Sequence, residues 1–171
     1  MSQEVIKEVN SQMTEQSTTG NRYLSFSLGS EEFAIPLLDV KEVIAMPEFT
    51  PIPCSPPHFL GIMNLRGQVI SVLDLRTKLS IKPLNSPETA VIICDLDPLT
   101  IGVVVDSINS VITPESDEVS DKPEIQSKAS DFITGVFRKD KNLVLFLDIA
   151  RALSVQDKLT AQNAVQMKKA G

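Results

Sequence analysis

The fold turns on the stretch GIMNLRGQVISVLDLRTKLS, residues Gly61–Ser80, because the chain carries it twice. An offset of 74 positions lays it on Gly135–Ser154 without a gap. Gly61/Gly135, Leu73/Leu147, Asp74/Asp148, Leu79/Leu153 and Ser80/Ser154 are identical across the two copies. Ile62/Val136, Val69/Leu143, Ile70/Val144 and Leu75/Ile149 keep their apolar character. Each copy reads strand, tight turn, strand, aspartate, short helix. The alternative to a duplicated unit is that two hairpins converge on one pattern by chance. A fainter upstream echo favours duplication: Leu38-Asp39 with Val43-Ile44 resembles Val105-Asp106 with Val111-Ile112, after a one-residue insertion.

Outward from the repeat, Tyr23–Leu28 alternates on a period of two, Gly29-Ser30 makes a turn, and Phe33-Ala34-Ile35 completes a hairpin. Pro36 suits the first position of a short helix. In Leu37–Ile44, the residues Leu37, Val40, Val43 and Ile44 have helical spacing, and a strand carried through a bend fits as well. Phe49–Ile52 is a brief extended piece, followed by the proline-stiffened loop at Pro56-Pro57. Further strands are expected at Phe59–Leu65, Val69–Leu73, Val91–Asp95, Thr100–Val105, Ile108–Ile112, Ile133–Phe137 and Leu143–Leu147. Short helices are expected at Asp74–Leu79 and Ile149–Leu153, with Asp74 and Asp148 as their caps. The acidic stretch Pro114–Asp131 reads as a long loop. Residues 1–21, rich in Ser, Thr, Gln and Glu, read as a flexible tail, and residues 155–171 as a weak terminal helix or tail, partly docked or frayed. The body between them, residues 22–154, is then mainly β: two similar subdomains of about five short strands each. Units so small seldom bury enough apolar surface alone, so they should pack as one cooperative body.

Composition excludes several classes of function. With 16 basic and 22 acidic residues the formal charge is −6, and no basic patch offsets it, so nucleic-acid binding is not expected. No apolar run nears the roughly 20 residues of a membrane helix, and the polar start lacks the apolar core of a secretory signal, which reads as cytoplasmic. One histidine (His58) and two cysteines (Cys54, Cys94) cannot assemble an ordinary zinc site. Cys94, inside an apolar run, is expected to be a buried hydrophobe. Cys54 and His58 share a loop and form the one pairing that could make a thiol enzyme, but no oxyanion-hole or phosphate-cradling glycine motif accompanies them. An enzyme is not expected.

One ordered set of stretches runs through this body: Tyr23–Leu28 with Phe33-Ala34-Ile35, then Val40-Lys41-Glu42-Val43-Ile44, Thr50-Pro51-Ile52-Pro53 and Gly61-Ile62-Met63-Asn64-Leu65-Arg66-Gly67. Val72-Leu73-Asp74-Leu75-Arg76, Gly102-Val103-Val104-Val105-Asp106 and Ile133-Thr134-Gly135-Val136 complete it. Together they resemble the CheW family of chemotaxis coupling proteins and the related regulatory domain of CheA histidine kinases. The resemblance runs from about Arg22 to Ser154. It implies two intertwined five-stranded SH3-like β-barrels with short helices, forming a non-catalytic adaptor with no cofactor or metal. The implied partners are the cytoplasmic tips of methyl-accepting chemoreceptors and a CheA-type histidine kinase, within membrane-associated arrays but without membrane insertion. The output, flagella, pili or another, is not written in the residues. Val40, Glu42, Val43, Gly61, Arg66 and Gly67 are the candidate receptor- or kinase-binding residues, with Glu42 and Arg66 expected to pair. Val40 is either core or the floor of an apolar groove. Gly61 either serves backbone sterics, as Gly135 does, or lets a partner approach closely. Arg66 faces Asp140 in the repeat, so the duplicated fold does not require a cation at this turn. Ala34 and Cys54 stand where the family often carries Gly and Asn or Asp.

Overall fold

Strand pairing in the computed structural model, which describes residues 2–14, 21–84, 86–121 and 131–170, explains why the repeat is not two consecutive barrels. The first sheet takes its five strands from one continuous stretch: β3 (Val40–Ala45), β4 (Phe59–Leu65), β5 (Gln68–Asp74), β6 (Ala90–Asp95) and β7 (Thr100–Val105), in the order β3-β6-β7-β5-β4. The second joins both ends of the chain. Its strands β8 (Ser107–Ile112), β9 (Val119–Asp121), β10 (Ile133–Lys139) and β11 (Asn142–Leu147) pair with β1 (Tyr23–Leu28) and β2 (Glu31–Pro36), in the order β8-β1-β2-β11-β10-β9. The two orders match strand for strand. β3 corresponds to β8, β6-β7 to β1-β2, and the β4-β5 hairpin to β10-β11, with one parallel pairing at the same place in each, β5 with β7 and β11 with β2. The N-terminal hairpin therefore completes the C-terminal barrel, and this is the intertwining.

Side-chain burial follows the repeat. Met63, Ile70 and Val72 lie in a cluster built from the first sheet alone, and their counterparts Phe137, Val144 and Phe146 lie in one built from the second. Between the barrels a larger cluster draws on both, with Leu24, Phe26, Leu73, Leu75, Ile92, Leu147 and Ile149 among its buried members. Two barrel interiors and a shared interface make one cooperative body.

A charged clamp crosses that interface. Short helix α2 (Leu75–Lys78) begins at Asp74, whose carboxylate accepts from the Arg76 and Thr77 N–H groups. The Arg76 guanidinium is buried, with Nε and Nη2 on the two Asp74 oxygens at 2.9 Å each and Nη1 on Asp106 at 2.8 Å. Asp106 also accepts from the N–H of Gly29, at 2.6 Å, and of Leu84, at 3.1 Å. Hydrogen bonding to Asp74 raises the Arg76 pKa further despite burial, so the cation is permanent. In the second copy, helix α3 (Ile149–Ala152) is capped by Asp148, but Ala150 replaces the arginine. Asp39, the counterpart of Asp106, is instead pushed up by burial and by the charge of Asp148.

Three expectations need correction, and at Val40–Ile44 one of two open readings holds. The second sheet has six strands, not five. The extra strand, β9, runs beside β10 with Ser120 opposite Val136, where the first barrel has the single bridge of Thr50 to Ile62. The long loop at Pro114–Asp131 thus contains a 3₁₀ turn and β9, and its remainder, 122–130, lies outside the described residues. Val40–Ile44 is a strand: a bulge between Val40 and Glu42 turns Val40 and Val43 inward three residues apart, which imitates helical spacing. The N-terminal segment is not simply a flexible tail. Ser2–Thr14 forms helix α1, packed on β3 and β8 with Val9 buried, while residues 15–20 lie outside the described residues.

After Ser154 the chain forms helix α4 (Val155–Ala170), which buries Ala161 and Ala164 and leaves Val155 and Leu159 exposed. The Ser71 hydroxyl donates to the Ala161 carbonyl at 2.9 Å. Ser154 and Asp157 cap the helix reciprocally, through Ser154 N–H to Asp157 Oδ2 at 2.9 Å and Asp157 N–H to Ser154 Oγ at 3.1 Å. The buried Asp157 carboxylate also meets Lys78 Nζ at 2.6 Å and His58 Nε2 at 2.5 Å. Burial alone would raise its pKa, but hydrogen bonds from Lys78, Ser154 and His58 outweigh that and hold it well below the usual carboxylate range.

Substitutions at two places test this packing. Gly61 has φ +148°, and a Cβ there would stand 2.1 Å from the Thr50 carbonyl oxygen, whereas at Gly135 the nearest atom, Ser120 O, is 3.2 Å away. Gly61→Ala is expected to cost about 3 kcal/mol in chemical denaturation and Gly135→Ala about 1 kcal/mol or less; equal costs would contradict the steric account. Asp157→Asn is expected to cost about 1–3 kcal/mol at pH 7 by leaving buried partners unsatisfied. A depressed carboxylate pKa contributes stability above the unfolded value, about 3.9, and loses it as pH falls towards the folded value. The gap between wild type and variant in thermal melts should therefore narrow below about pH 4.

Candidate functional site

The hairpin turn Arg66-Gly67 joins β4 to β5 with both residues at positive φ, +51° and +87°. That is the two-residue turn whose twist matches the strands it joins. Asn64 Oδ1 accepts from the Gly67 N–H at 2.8 Å and holds the turn in shape. Gly67 is open on its Cβ side, so glycine serves its φ and not a tight contact. Asp140, at φ +55°, occupies the same place in the second copy. The turn accepts either charge.

From this turn the Arg66 guanidinium reaches back to β3 and grips the Glu42 carboxylate with two parallel bonds of 2.7 Å. Glu42 is on β3 at one end of the strand order and Arg66 on the hairpin that forms the other end, so the pair bridges the two ends of the sheet. Beside it, Lys41 Nζ donates to Gln68 Oε1 at 3.4 Å. The pair is lopsided: the Arg66 side chain is 72% exposed and that of Glu42 only 16%. Pairing with Glu42 raises the Arg66 pKa. A seated carboxylate thus holds a cation outward in a fixed orientation. A bidentate fork adds direction as well as attraction.

The other candidates serve this arrangement from inside. Val40 and Val43 are core residues of the barrel interface, so Val40 is not the floor of an open groove. The space above Gly61 is filled by the chain's own Thr50, whose N–H and carbonyl bond Ile62 at 2.7 and 2.9 Å. Close approach at Gly61 is therefore already taken by the chain itself. The structure brings Glu42, Arg66 and Gly67 together at the surface and puts Val40, Val43 and Gly61 beneath or beside them.

Three features near the turn escaped sequence reasoning. A shallow depression lies beside the hairpin, lined by Glu48, Phe49, Ile62, Met63, Asn64 and Val69. Leu38, two residues before β3, is 97% exposed, an unusual position for a leucine. The backbone of Val43 is bridged by the side chain of Asn10 on α1, which covers the outer edge of β3. Val5, Ile6, Val9 and Met13 sit at helical spacing among polar neighbours, which is the sequence signal of α1.

The cysteines and histidine do not assemble into a nucleophilic centre. His58 Nε2 is engaged by Asp157, and Cys54 is exposed with φ +62° in its loop. Cys94 is buried, and burial, with the charge of Asp39, pushes its thiol pKa far up and keeps it inert. Among the described residues no group of three or more His, Cys, Asp or Glu could hold a metal ion, and no helix is long and apolar enough to cross a membrane.

Comparison with known proteins agrees with this geometry. The model of the CheW-like domain matches residues 22–157, from the start of β1 into α4. The chemotaxis protein CheW of Bacillus subtilis is 33% identical over 154 residues, covering 90% of this chain and 97% of that one. The chemotaxis protein CheW of Klebsiella aerogenes is 28% identical over 151 residues, covering 87% and 91%. The crystal structure of the scaffolding protein TtCheW from Thermoanaerobacter tengcongensis superposes with a TM-score of 0.74 at 27% identity, covering 82% of this chain and 97% of that one. With both barrels inside the matched region and a solved scaffold sharing their topology, the chain belongs to the CheW-like family.

Proposed function

We propose that this protein is a non-catalytic cytoplasmic adaptor that couples the tips of transmembrane chemoreceptors to a CheA-type histidine kinase within a signalling array. The observation that carries this reading is the Glu42–Arg66 pair: an exposed guanidinium held outward by a seated carboxylate, at a turn where the matching barrel has Asp140. An arginine that the fold does not require, fixed in direction, suits recognition of a partner's carboxylate or carbonyl groups. Lys41 and Gly67 flank it at the surface, while Val40, Val43 and Gly61 hold β3 and the hairpin in place. The depression along Phe49, Met63 and Val69 supplies apolar area beside the charge. Charge for orientation and apolar surface for affinity are the two ingredients of a specific protein interface.

The test is Arg66→Asp, which installs the residue of the second copy. The turn should tolerate it, with thermal unfolding close to wild type. It also places a carboxylate opposite Glu42 and removes the outward cation. Receptor-dependent activation of the kinase, reconstituted with purified partners, should fall at least tenfold, since like charges facing one another across an interface cost several kcal/mol. A variant that melts normally and activates fully would remove this surface from the coupling. Arg66→Lys, which keeps the charge and loses the fork, should fall between the two.

A further inference from the structure

The β4-β5 turn holds its arginine in a backbone conformation that arginine does not favour. Arg66 has φ +51°, a region where residues other than glycine are uncommon and Asn and Asp are the best accepted. The second copy follows that preference: Asp140 stands at the same place with φ +55°, and its neighbour Lys141 is not at positive φ. A long cation here therefore needs outside support, and two side chains give it. Glu42 holds the guanidinium end. Asn64, two residues before the arginine, holds the backbone end by accepting from the Gly67 N–H at 2.8 Å. Among the described residues nothing lies within 4 Å of where a Gly67 Cβ would stand, so packing does not fix this side of the turn.

The repeat shows that closing the hairpin does not require this bond. Arg138 stands where the first copy has Asn64, and an arginine side chain has no acceptor to offer. Lys139 nevertheless pairs with Asn142 across the second turn as Leu65 pairs with Gln68 across the first. The copy that carries an acceptor under its turn is the copy that carries the outward guanidinium.

We propose that Asn64 is a positioning residue for the coupling surface: its side-chain oxygen aims Arg66 through the turn backbone, and its amide N–H groups need not touch the partner. The proposal rests on the function given above. Asn64 and Glu42 grip the arginine at its two ends, so the exposed face of the guanidinium keeps one direction. Without Asn64 the ion pair persists and its direction wanders.

The test compares Asn64→Ala, Asn64→Asp and Arg66→Asp in the full chain, with kinase activation reconstituted from a receptor cytoplasmic fragment and purified kinase. In Asn64→Ala the Gly67 amide should exchange with solvent about tenfold faster, while the melting temperature stays within about 2 °C of wild type. Receptor-dependent activation should fall by about three- to tenfold as the supporting contact is lost. Asn64→Asp keeps the acceptor oxygen and should return both Gly67 exchange and activation to within about twofold of wild type. A direct contact through the Asn64 amide N–H groups predicts the reverse: aspartate, lacking them, would fail as badly as alanine, which would overturn the proposal. Full activation by Asn64→Ala, or Gly67 exchange unchanged in it, would overturn it as well. Arg66→Asp distinguishes the failure of the underlying function. If Arg66→Asp activates fully, this surface has no part in coupling and the positioning role falls with it. If Arg66→Asp fails while Asn64→Ala activates fully, only the positioning role is removed.

Discussion

One buried guanidinium ties the two barrels together. Arg76 belongs to the first barrel through Asp74, and it reaches Asp106 at the start of β8, which in turn holds the β1-β2 turn at Gly29 and the loop at Leu84. Arg76, the β1-β2 turn and the loop at Leu84 thus all meet at the Asp106 carboxylate. A buried ion pair is weak evidence for net stability, because both charges must be desolvated. What this one supplies is position: through Asp106 it fixes the β1-β2 turn at Gly29 relative to α2 of the first barrel. The second copy lacks the arginine, so the seam is pinned on one side only.

That asymmetry runs through the molecule. Duplication gave both barrels the same sheet order, the same bulge ahead of Gly61 and Gly135, and aspartate caps on α2 and α3. What has diverged lies at the hairpin tips, the sheet edge and the seam between the barrels: Arg66 against Asp140, a single Thr50 bridge against the whole of β9, Arg76 against Ala150. The shared features are dictated by backbone geometry and burial. The divergent ones stand where a barrel meets solvent or its sibling.

How much of this is legible in the sequence depends on the range of each constraint. The hairpins are visible because alternation and turn residues are local, and the repeat by itself makes Asp74 the equivalent of Asp148. Non-local pairing is invisible: nothing in Tyr23–Pro36 says that it completes the other barrel, because β2 meets β11 only in the folded chain. The bulge on β3 disguises a strand as a helix, and the short, exposed β9 has no apolar pattern to detect. Of the candidate site, the Glu42–Arg66 pair is expected from family resemblance. The pair joins residues 24 apart in sequence, and the occupation of Gly61's open face by Thr50 cannot be read from either residue.

The borrowing of β1 and β2 by the second barrel also sets an order of events during synthesis. The first two strands leave the ribosome as a hairpin well before their outer partners, since β8 and β11 come later in the chain. The barrel made of β3 to β7 is continuous and can close on the nascent chain while β8 to β11 are still being translated. The N-terminal hairpin must wait, its apolar Leu24, Phe26 and Leu28 resting against the finished barrel, until the last strands arrive to enclose it. Domains tend to fold as their segments emerge, and one stitched from both termini folds last. Truncation near the C-terminus would therefore strand the beginning of the protein as well as its end.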